Sequence, residues 1–339
     1  MPMVRMRGVL ALENPAVVAG VLVDACGGVV VVAVGSAMAR TPAYAGAKSF
    51  AIPTRWGSTV AGMSQLGVLF GDYAARWRER VPAPAEAFEY GSVVEDGRHF
   101  PLVGLRSPGS RAVVVSAGVH GDEKAGPLTL LEHAPEIVAY AAERDVALRI
   151  YPCINPSGFE AHTRYNLSGE RPNNDFLRYE TAPGVWRGEL GDGQAFTRIA
   201  PVDGGVPKET AALAGELDRD PPPAAALDLH QDNFIHGALF YAYVFGDRGG
   251  YRPLVARSGA LVPILRSSIV DSGHEPGSDV RADEEGLIVC HDGSITDRFH
   301  RAGVPYTAAI ETTTETPTAL ADEINLIWIR GFIDLAAGR

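Results

Sequence analysis

Two hydrophobic periodicities, one typical of helices and one of strands, divide most of the chain into short elements. An amphipathic pattern predicts a helix from Met63 to Arg80, and Pro82 ends it. Residues 87–94 and 99–105 have the pattern of two strands. The Glu95-Asp96-Gly97 segment between them is typical of a hairpin turn, so these strands are predicted to pair with each other.

Residues 111–119 (RAVVVSAGV) contain a β-branched run typical of a strand that is buried on both faces. Further strands are predicted at 146–154, 224–229, 238–244, 260–265 and 306–310, and helices at 127–144, with a bend at Pro135, and 325–337. Alternation of buried strands with helices indicates an α/β protein. We therefore predict a single domain with a central mixed, largely parallel twisted sheet flanked by helices on both faces.

Residues 1–62 differ from the rest of the chain, because they carry only seven charged side chains. This segment is consistent with an export signal or anchor, an accessory β-rich segment, or sequence preceding a functional start at Met63. Asp24 interrupts the apolar run 16–39, which argues against a signal or anchor, and we favour the third interpretation because Met63 opens the amphipathic helix. The predicted organisation is an N-terminal extension, 1–62, and a main domain, 63–339, in the cytoplasm, or exported if the extension is a signal.

The composition excludes several classes of protein. The chain has 46% hydrophobic and 21% charged residues, a balance typical of globular proteins, and its net charge is −11 with scattered basic residues. We therefore expect no nucleic-acid partner, and no membrane partner for the main domain. The three cysteines are far apart, so a disulfide scaffold or a cysteine-ligated zinc site is not expected. Any metal ligands are predicted to be His, Asp or Glu.

Residues with metal-binding chemistry follow the buried strand at 111–119. His120 and Glu123 lie on a turn next to Gly118 and Gly121, where an imidazole and a carboxylate three residues apart can converge on one cation. The same spacing recurs in 133–136 without a preceding strand, and we interpret that copy as a solvated helix face.

Two other predicted strands end in polar side chains. His230 follows the strand 224–229 and, although a hydrogen-bonded structural role is also open, it can supply a third metal ligand. Asp228 is either a strand-end carboxylate or a group that orients an imidazole. Glu311 follows the strand 306–310; it is a helix cap, a solvated turn or, beside a metal, a general base. Glu311 is favoured over Glu315 because it directly follows the strand.

These segments together resemble the zinc carboxypeptidases of the carboxypeptidase A type, a family that includes succinylglutamate desuccinylase and aspartoacylase. The resemblance extends from about Val113 to Glu311 and includes the Asn-Pro-Ser-Gly turn at 155–158. It implies one Zn²⁺ held by His120, Glu123 and His230. It also implies that Glu311 is the catalytic glutamate and that Arg164 stabilises an oxyanion.

The substrate-binding positions depart from the family pattern. Asn173-Asn174 stands where the family usually has an Asn-Arg pair that binds a terminal carboxylate, and residues 288–295 contain no tyrosine. Arg171, Arg178 or Arg281 are candidates to replace that arginine. We therefore predict a zinc-dependent hydrolase of a small peptide. An N-acyl-amino-acid deacylase and a non-catalytic zinc-binding relative are the alternatives. The predicted substrate-binding residues are Asn173, Asn174 and Arg171.

Overall fold

The computed structural model describes residues 18–23, 29–34, 69–191, 193–271 and 279–339. The chain divides into two compact units, Met1–Gly57 and Ser58–Arg339. In the first unit, strands β1 (Val18–Val23) and β2 (Val29–Val34) pair antiparallel. The predicted domain boundary at residue 62 and the predicted helix start at Met63 lie outside the described residues, so both stay predictions.

In the second unit the described residues form seven helices and thirteen strands. The helices are α1 (Phe70–Arg80), α2 (Ala125–Ala142), α3 (Pro156–Ala161), α4 (Lys208–Leu217), α5 (Arg248–Gly259), α6 (Ile295–Arg301) and α7 (Thr318–Ala337). The strands are β3 (Glu86–Glu95), β4 (Arg98–Arg106), β5 (Arg111–Ala117), β6 (Val146–Tyr151), β7 (Arg178–Ala182), β8 (Val185–Arg187), β9 (Arg198–Ala200), β10 (Ala225–Asp232), β11 (Phe240–Gly246), β12 (Ile269–Asp271), β13 (Val280–Arg281), β14 (Leu287–Ile288) and β15 (Tyr306–Thr313).

Eight of these strands form the central sheet, in the order β14-β11-β15-β10-β5-β6-β4-β3. The four middle strands β15, β10, β5 and β6 run parallel, β3 and β4 pair antiparallel with their neighbours, and β11 pairs antiparallel with β15 and parallel with β14. The prediction of an α/β domain with a mixed, largely parallel sheet is therefore confirmed. Because four parallel strands end at the same edge, that edge can gather side chains from distant parts of the sequence.

The core explains why the middle strands read as continuous apolar runs. Every residue of β10 is buried, and so are the last five residues of β5, because helices pack against the sheet. Helices α2 and α7 pack against each other and against β10, and Trp328 of α7 is fully buried in this layer. Helix α2 continues through Pro135 without ending there.

The predicted strand at 260–265 is wrong. Helix α5 ends at Gly259, residues 260–262 form turns, and only Ile264 makes an isolated bridge to Phe240. Pro263 has no N–H to donate to a ladder, so the apolar run 260–265 packs without becoming a strand. The sequence pattern also did not indicate α4, α5, α6 or the three-stranded sheet β8-β7-β9.

The interpretation of residues 133–136 as a solvated helix face is wrong for His133. Its side chain is buried, and its Nε2 lies 2.9 Å from Oδ2 of Asp322 on α7, while Glu136 is exposed. Among the described residues this copy belongs to no cluster of three metal-binding groups. The residue therefore joins two packed helices and has no visible role in metal binding.

No helix in the described ranges combines the length and the apolar character that crossing a membrane requires.

Candidate active site

Three neighbouring strands bring the predicted site residues together at one edge of the sheet. His120 and Glu123 lie on the turn between β5 and α2. His230 lies within β10 and Glu311 within β15, and the parallel register of these strands places the two residues directly beside each other. The convergence therefore follows from the strand order β15-β10-β5, which the sequence does not contain explicitly.

Two glycines shape the turn that carries the first pair. Gly118 has a φ of +63°, a conformation that glycine adopts without strain. Gly121 has no room for a side chain, because an added Cβ would lie 2.0 Å from the carbonyl carbon of Gly158. The Gly121 N–H also donates to the carbonyl oxygen of Arg164 at 3.4 Å. This close approach holds the segment 155–164 against the turn and brings Arg164 to the site.

The Asn-Pro-Ser-Gly turn supports the same contact. Asn155 is buried and caps α3, since its side-chain oxygen accepts a hydrogen bond from the Gly158 N–H at 2.9 Å. Its amide nitrogen donates to the carbonyl oxygen of Arg164 at 3.3 Å. The turn therefore positions Arg164, whose Nη1 donates to Oε1 of Glu123 at 3.0 Å.

We expect Gly121→Ala to lower the free energy of unfolding by about 1–3 kcal/mol or more, the usual cost of overpacking. The added methyl group would collide with backbone atoms of Gly158, which cannot rotate away. Chemical denaturation measures the change. Gly215→Ala is the matched control, because its Cβ would meet nothing within 4 Å in helix α4, and the free energy is expected to rise by about 0.5–1 kcal/mol. Equal effects of the two substitutions would contradict the packing argument.

His120, Glu123 and His230 form a buried cluster of potential metal ligands. One ligand atom from each residue lies within 4.8 Å of the others. Glu123 lies between the two imidazoles, with its Oε1 2.6 Å from Nδ1 of His120 and its Oε2 2.9 Å from Nδ1 of His230. All three side chains are almost fully buried. They are also the only such cluster within the described part of the chain.

Asp228 orients the imidazole of His230. Its Oδ2 lies 2.8 Å from Nε2 of His230, and its Oδ1 accepts a hydrogen bond from the Ser116 hydroxyl at 2.7 Å. Because Nε2 faces a carboxylate, Nδ1 is the nitrogen that faces Glu123. The residue therefore acts on the imidazole, as one of the two sequence-based interpretations stated.

We expect Asp228→Asn to weaken zinc binding by about 10–100-fold, the usual effect of removing a group that orients a ligand. An amide can present its NH₂ to the imidazole and favour the wrong tautomer, while the shape stays the same. Competition with a fluorescent zinc chelator measures the affinity. Unchanged affinity would show that Asp228 has only a structural role. Asp322→Asn is a suitable control, because Asp322 faces the imidazole of His133 instead.

The charges of the cluster are coupled. Burial raises the pKa of Glu123, but the neighbouring His120 and His230 outweigh it and hold this pKa well below its usual range. Burial lowers the pKa of His230, but the carboxylates of Asp228 and Glu123 outweigh it and raise the pKa. Burial lowers the pKa of His120, despite its contact with Glu123. The cluster therefore stabilises the ionised carboxylate of Glu123 between two imidazoles, each of which can carry a proton or bind a metal.

Glu311 is a different kind of carboxyl group. Its Oε1 lies 3.9 Å from Nδ1 of His230, and in the described structure its buried Oε2 has no hydrogen-bond partner. Burial raises the pKa of Glu311 well above its usual range. A buried carboxyl group with a raised pKa and an open oxygen is suited to accept and return a proton.

The cluster fits a zinc ion by two observations. Two imidazole nitrogens and one carboxylate oxygen are a common ligand set of catalytic zinc sites, which leave a further position for water or substrate. In addition, Nδ1 of His230, the ring nitrogen on the side of Glu123, is buried and has no hydrogen-bond partner among the described residues. A buried polar atom without a partner is costly, and a metal ion held by the cluster would satisfy it.

The predicted site residues all line one cavity of about 890 Å³. Its wall includes the catalytic and metal-binding candidates His120, Glu123, Arg164, His230 and Glu311, and the substrate-binding candidates Arg171, Asn173 and Asn174. The guanidinium carbon of Arg164 also lies 5.3 Å from the ring centre of Phe234, an exposed aromatic residue on the same wall. Residues chosen from separate motifs are therefore neighbours in space, and their roles remain predictions.

Two candidate arginines lie away from this wall. Arg178 belongs to β7, and Arg281 belongs to β13 and donates to the Ser267 carbonyl oxygen. Arg164 and Arg171 are the only arginines on the described cavity wall. Glu315, the alternative to Glu311, is exposed and pairs with His236 at 2.8 Å. The structure therefore leaves Arg171 as the remaining candidate for binding a substrate carboxylate.

Several polar and aromatic residues on the wall were not indicated by the sequence. Tyr241 and Tyr243 lie on one face of β11, and the buried Ala242 between them lies on the other. The alternation therefore identifies the strand face that lines the cavity. Tyr241 donates from its hydroxyl to Oδ2 of Asp232 at 2.6 Å. Asp292 lies between two short elements, and no local pattern distinguishes it from a turn residue.

Comparison with known proteins gives the class of this fold. The family model of the succinylglutamate desuccinylase/aspartoacylase catalytic domain matches residues 109–178, which include His120, Glu123 and Arg164. No curated protein sequence matches the chain. The predicted resemblance to the zinc carboxypeptidase-like family is confirmed by this match and by solved structures of similar fold.

Three of those solved structures show the extent of the likeness. A candidate metallopeptidase from Shewanella baltica is 23% identical, with a TM-score of 0.58 over 79% of this chain and 91% of its own. A candidate metallopeptidase from Shewanella amazonensis is 23% identical, with a TM-score of 0.56 over 80% and 93%. Bovine thrombin-activatable fibrinolysis inhibitor, bound to tick carboxypeptidase inhibitor, is 17% identical, with a TM-score of 0.50 over 79% and 94%. At these identities the likeness establishes the fold.

Proposed function

We propose that this protein is a zinc-dependent hydrolase that cleaves an amide bond in a small peptide. The observation that carries the proposal is the buried His120–Glu123–His230 cluster with Glu311 directly beside it. The cluster lies where parallel strands end, which is the usual position of active sites in such sheets. The fold and the match at 109–178 support the same superfamily of hydrolases.

The residues of this chain have separate roles in that reaction. His120, Glu123 and His230 would hold a zinc ion, which would supply a Lewis acid that polarises a carbonyl and acidifies water. Glu311 accepts a proton from the attacking water and returns it to the leaving amine nitrogen, since it lies beside His230 and its Oε2 has no hydrogen-bond partner in the described structure. Arg164 lies on the same cavity wall and stabilises the negative charge that develops on the carbonyl oxygen.

A second candidate function is the deacylation of an N-acyl amino acid. The family model that matches residues 109–178 favours it, because that family is named for a desuccinylase and an acylase. Both functions use the same hydrolytic groups and differ in the part of the substrate that is recognised.

The test is hydrolysis by the zinc-loaded full-length protein of two panels, peptides with free C-termini and N-acyl amino acids. Mass spectrometry identifies the products, and the metal content of each preparation is measured in parallel. Turnover of the first panel alone supports a carboxypeptidase, and turnover of the second alone supports a deacylase. A protein that binds one zinc ion per chain and hydrolyses neither panel would contradict the proposal and indicate a non-catalytic relative.

A further inference from the structure

Position 174 pairs with a carboxylate on the cavity wall. The Asn174 amide nitrogen donates to Oδ2 of Asp292 at 2.8 Å, and both residues line the proposed active site. The two residues are 118 positions apart in the chain. An arginine at position 174 would place its own charge beside Asp292, so the asparagine leaves this carboxylate without a cationic neighbour at that position.

Asp292 is held firmly in place. Its Oδ1 accepts a hydrogen bond from the Ser294 N–H at 3.0 Å. The next residue, Gly293, has a φ of +70°, and a Cβ there would lie 2.6 Å from the Leu177 carbonyl oxygen. Only glycine fits this turn, which packs against the backbone of the segment that carries Asn174. The carboxylate is therefore positioned by the fold before any substrate binds.

The Asn174–Asp292 pair lies on the cavity wall and contains a hydrogen-bond acceptor without a donor in the described structure. Because the Asn174 amide nitrogen must face the carboxylate, the orientation of the amide is set and its oxygen is the remaining group. This oxygen, Oδ1, is buried and has no hydrogen-bond partner in the described structure. The Asp292 carboxylate accepts hydrogen bonds from the Asn174 amide and from the N–H and hydroxyl of Ser294, while its two oxygens offer about four lone-pair sites, so it can accept one more donor. A group rich in N–H donors would satisfy these acceptors.

The charges around the pair favour a cation. Apart from the metal-binding cluster and the carboxyls beside it, the cavity wall carries four carboxylates, Glu189, Asp232, Asp271 and Asp292, against two arginines. Asp292 forms no ion pair with any described residue. Burial, with a smaller contribution from the neighbouring charge of Asp297, raises the pKa of Asp292.

Aromatic side chains complete this surface. Phe234, Tyr165, Tyr241 and Tyr243 line the same cavity. Burial raises the pKa of Tyr243, and the nearby charges of Glu311 and Asp292 raise it further. Aromatic faces attract cations, and an ammonium or guanidinium group between aromatic rings and a carboxylate is stabilised by both.

We propose that the site selects substrates bearing a cationic amine or guanidinium group, which binds Asp292 and the Asn174 side-chain oxygen. This inference rests on the proposed hydrolytic function of the same cavity and names its substrate class. Arg171 is exposed and lies on the same wall, so it remains available for a second, anionic part of the substrate. Asp292 is the specificity-determining residue in this proposal.

The first experiment measures binding without turnover. Calorimetry compares lysinamide with norleucinamide, each used as its α-desamino form (6-aminohexanamide and hexanamide) so that the ε-ammonium is the only charge, on the zinc-loaded full-length protein. We expect 6-aminohexanamide to bind about tenfold more tightly or better, as a charge-assisted hydrogen bond implies. Asp292→Asn is expected to remove the difference. Equal affinities for the two amides in the unmodified protein would overturn the proposal whatever the enzyme hydrolyses.

The second experiment measures selectivity in hydrolysis. The ratio of kcat/KM for N-acetyl-lysine over N-acetyl-norleucine, and for Ala-Lys over Ala-norleucine, is expected to exceed about ten and to fall toward one in Asp292→Asn. Asn174→Arg should have the same effect, because its guanidinium would occupy the carboxylate. Asp72→Asn on the exposed face of α1 is the matched control and should keep the ratio.

The two experiments distinguish this inference from the proposed function. Selective binding of 6-aminohexanamide without hydrolysis of any compound would contradict the hydrolase and leave the cation site supported. Hydrolysis with no preference for lysine would support the hydrolase and overturn the cation site. If Asp292→Asn does not fold, Asn174→Arg gives the same comparison from the other member of the pair.

Discussion

Replacement of Glu311 by glutamine is expected to lower kcat by about 10²–10⁴-fold, the contribution of a positioned general base. The amide has nearly the same shape as the carboxyl group but cannot accept the proton of the attacking water. The zinc content should stay at one ion per chain, because Glu311 lies outside the predicted ligand set. Steady-state kinetics and metal analysis on the same preparation provide the two measurements.

Glu315→Gln is the matched control for this prediction. Glu315 is a few residues further along the chain, but it is exposed and paired with His236, away from the cavity. Its substitution should leave kcat within about twofold, as is usual for surface positions without a structural role. Retained activity in Glu311→Gln, or loss of activity in both variants, would remove the assignment of Glu311 as the general base.

Replacement of His120 by alanine is expected to empty the metal site and reduce turnover to background. One of three predicted ligands is lost, and the effect on zinc affinity should exceed the ~10–100-fold cost of losing a residue that only orients a ligand. Plasma emission spectroscopy after dialysis against a zinc buffer measures the stoichiometry. Circular dichroism of the same sample shows whether the fold is retained.

His133→Ala tests whether zinc binding depends on the place of a His/Glu pair in the fold or only on the spacing of the two residues. His133 and Glu136 have the same separation as His120 and Glu123, yet His133 faces Asp322 on another helix. This variant should keep one zinc ion per chain. It should lose stability, because a buried hydrogen-bonded contact between α2 and α7 is removed. Full zinc binding by His120→Ala together with zinc loss in His133→Ala would reverse our assignment.

The sequence predicted the fold class and the location of the site because both depend on local patterns. The β-branched run 111–119 indicates a buried strand by its own composition, and the glycines around His120 mark the turn where that strand ends. The hairpin at 86–106 follows from alternation and a turn signal. In each case the residues that determine the structure are neighbours in the sequence.

The errors have the opposite origin. The apolar run 260–265 resembles a strand by composition, but Pro263 and the end of helix α5 determine its conformation. His133 was interpreted as solvated because its partner, Asp322, is 189 residues away. Helices α4 and α6 are short, so their periodicity was too brief to indicate them.

The sequence by itself thus determined the α/β class and predicted a His/Glu ligand set and a catalytic glutamate, since strand-end residues follow recognisable runs. Only the tertiary structure decided that β10 and β15 place His230 beside Glu311, and that Asn174 meets Asp292. The physical reason is that register and long-range packing arise from the whole core, whereas periodicity is a property of a few adjacent residues. The charge of the cavity wall likewise depends on long-range packing and not on local periodicity.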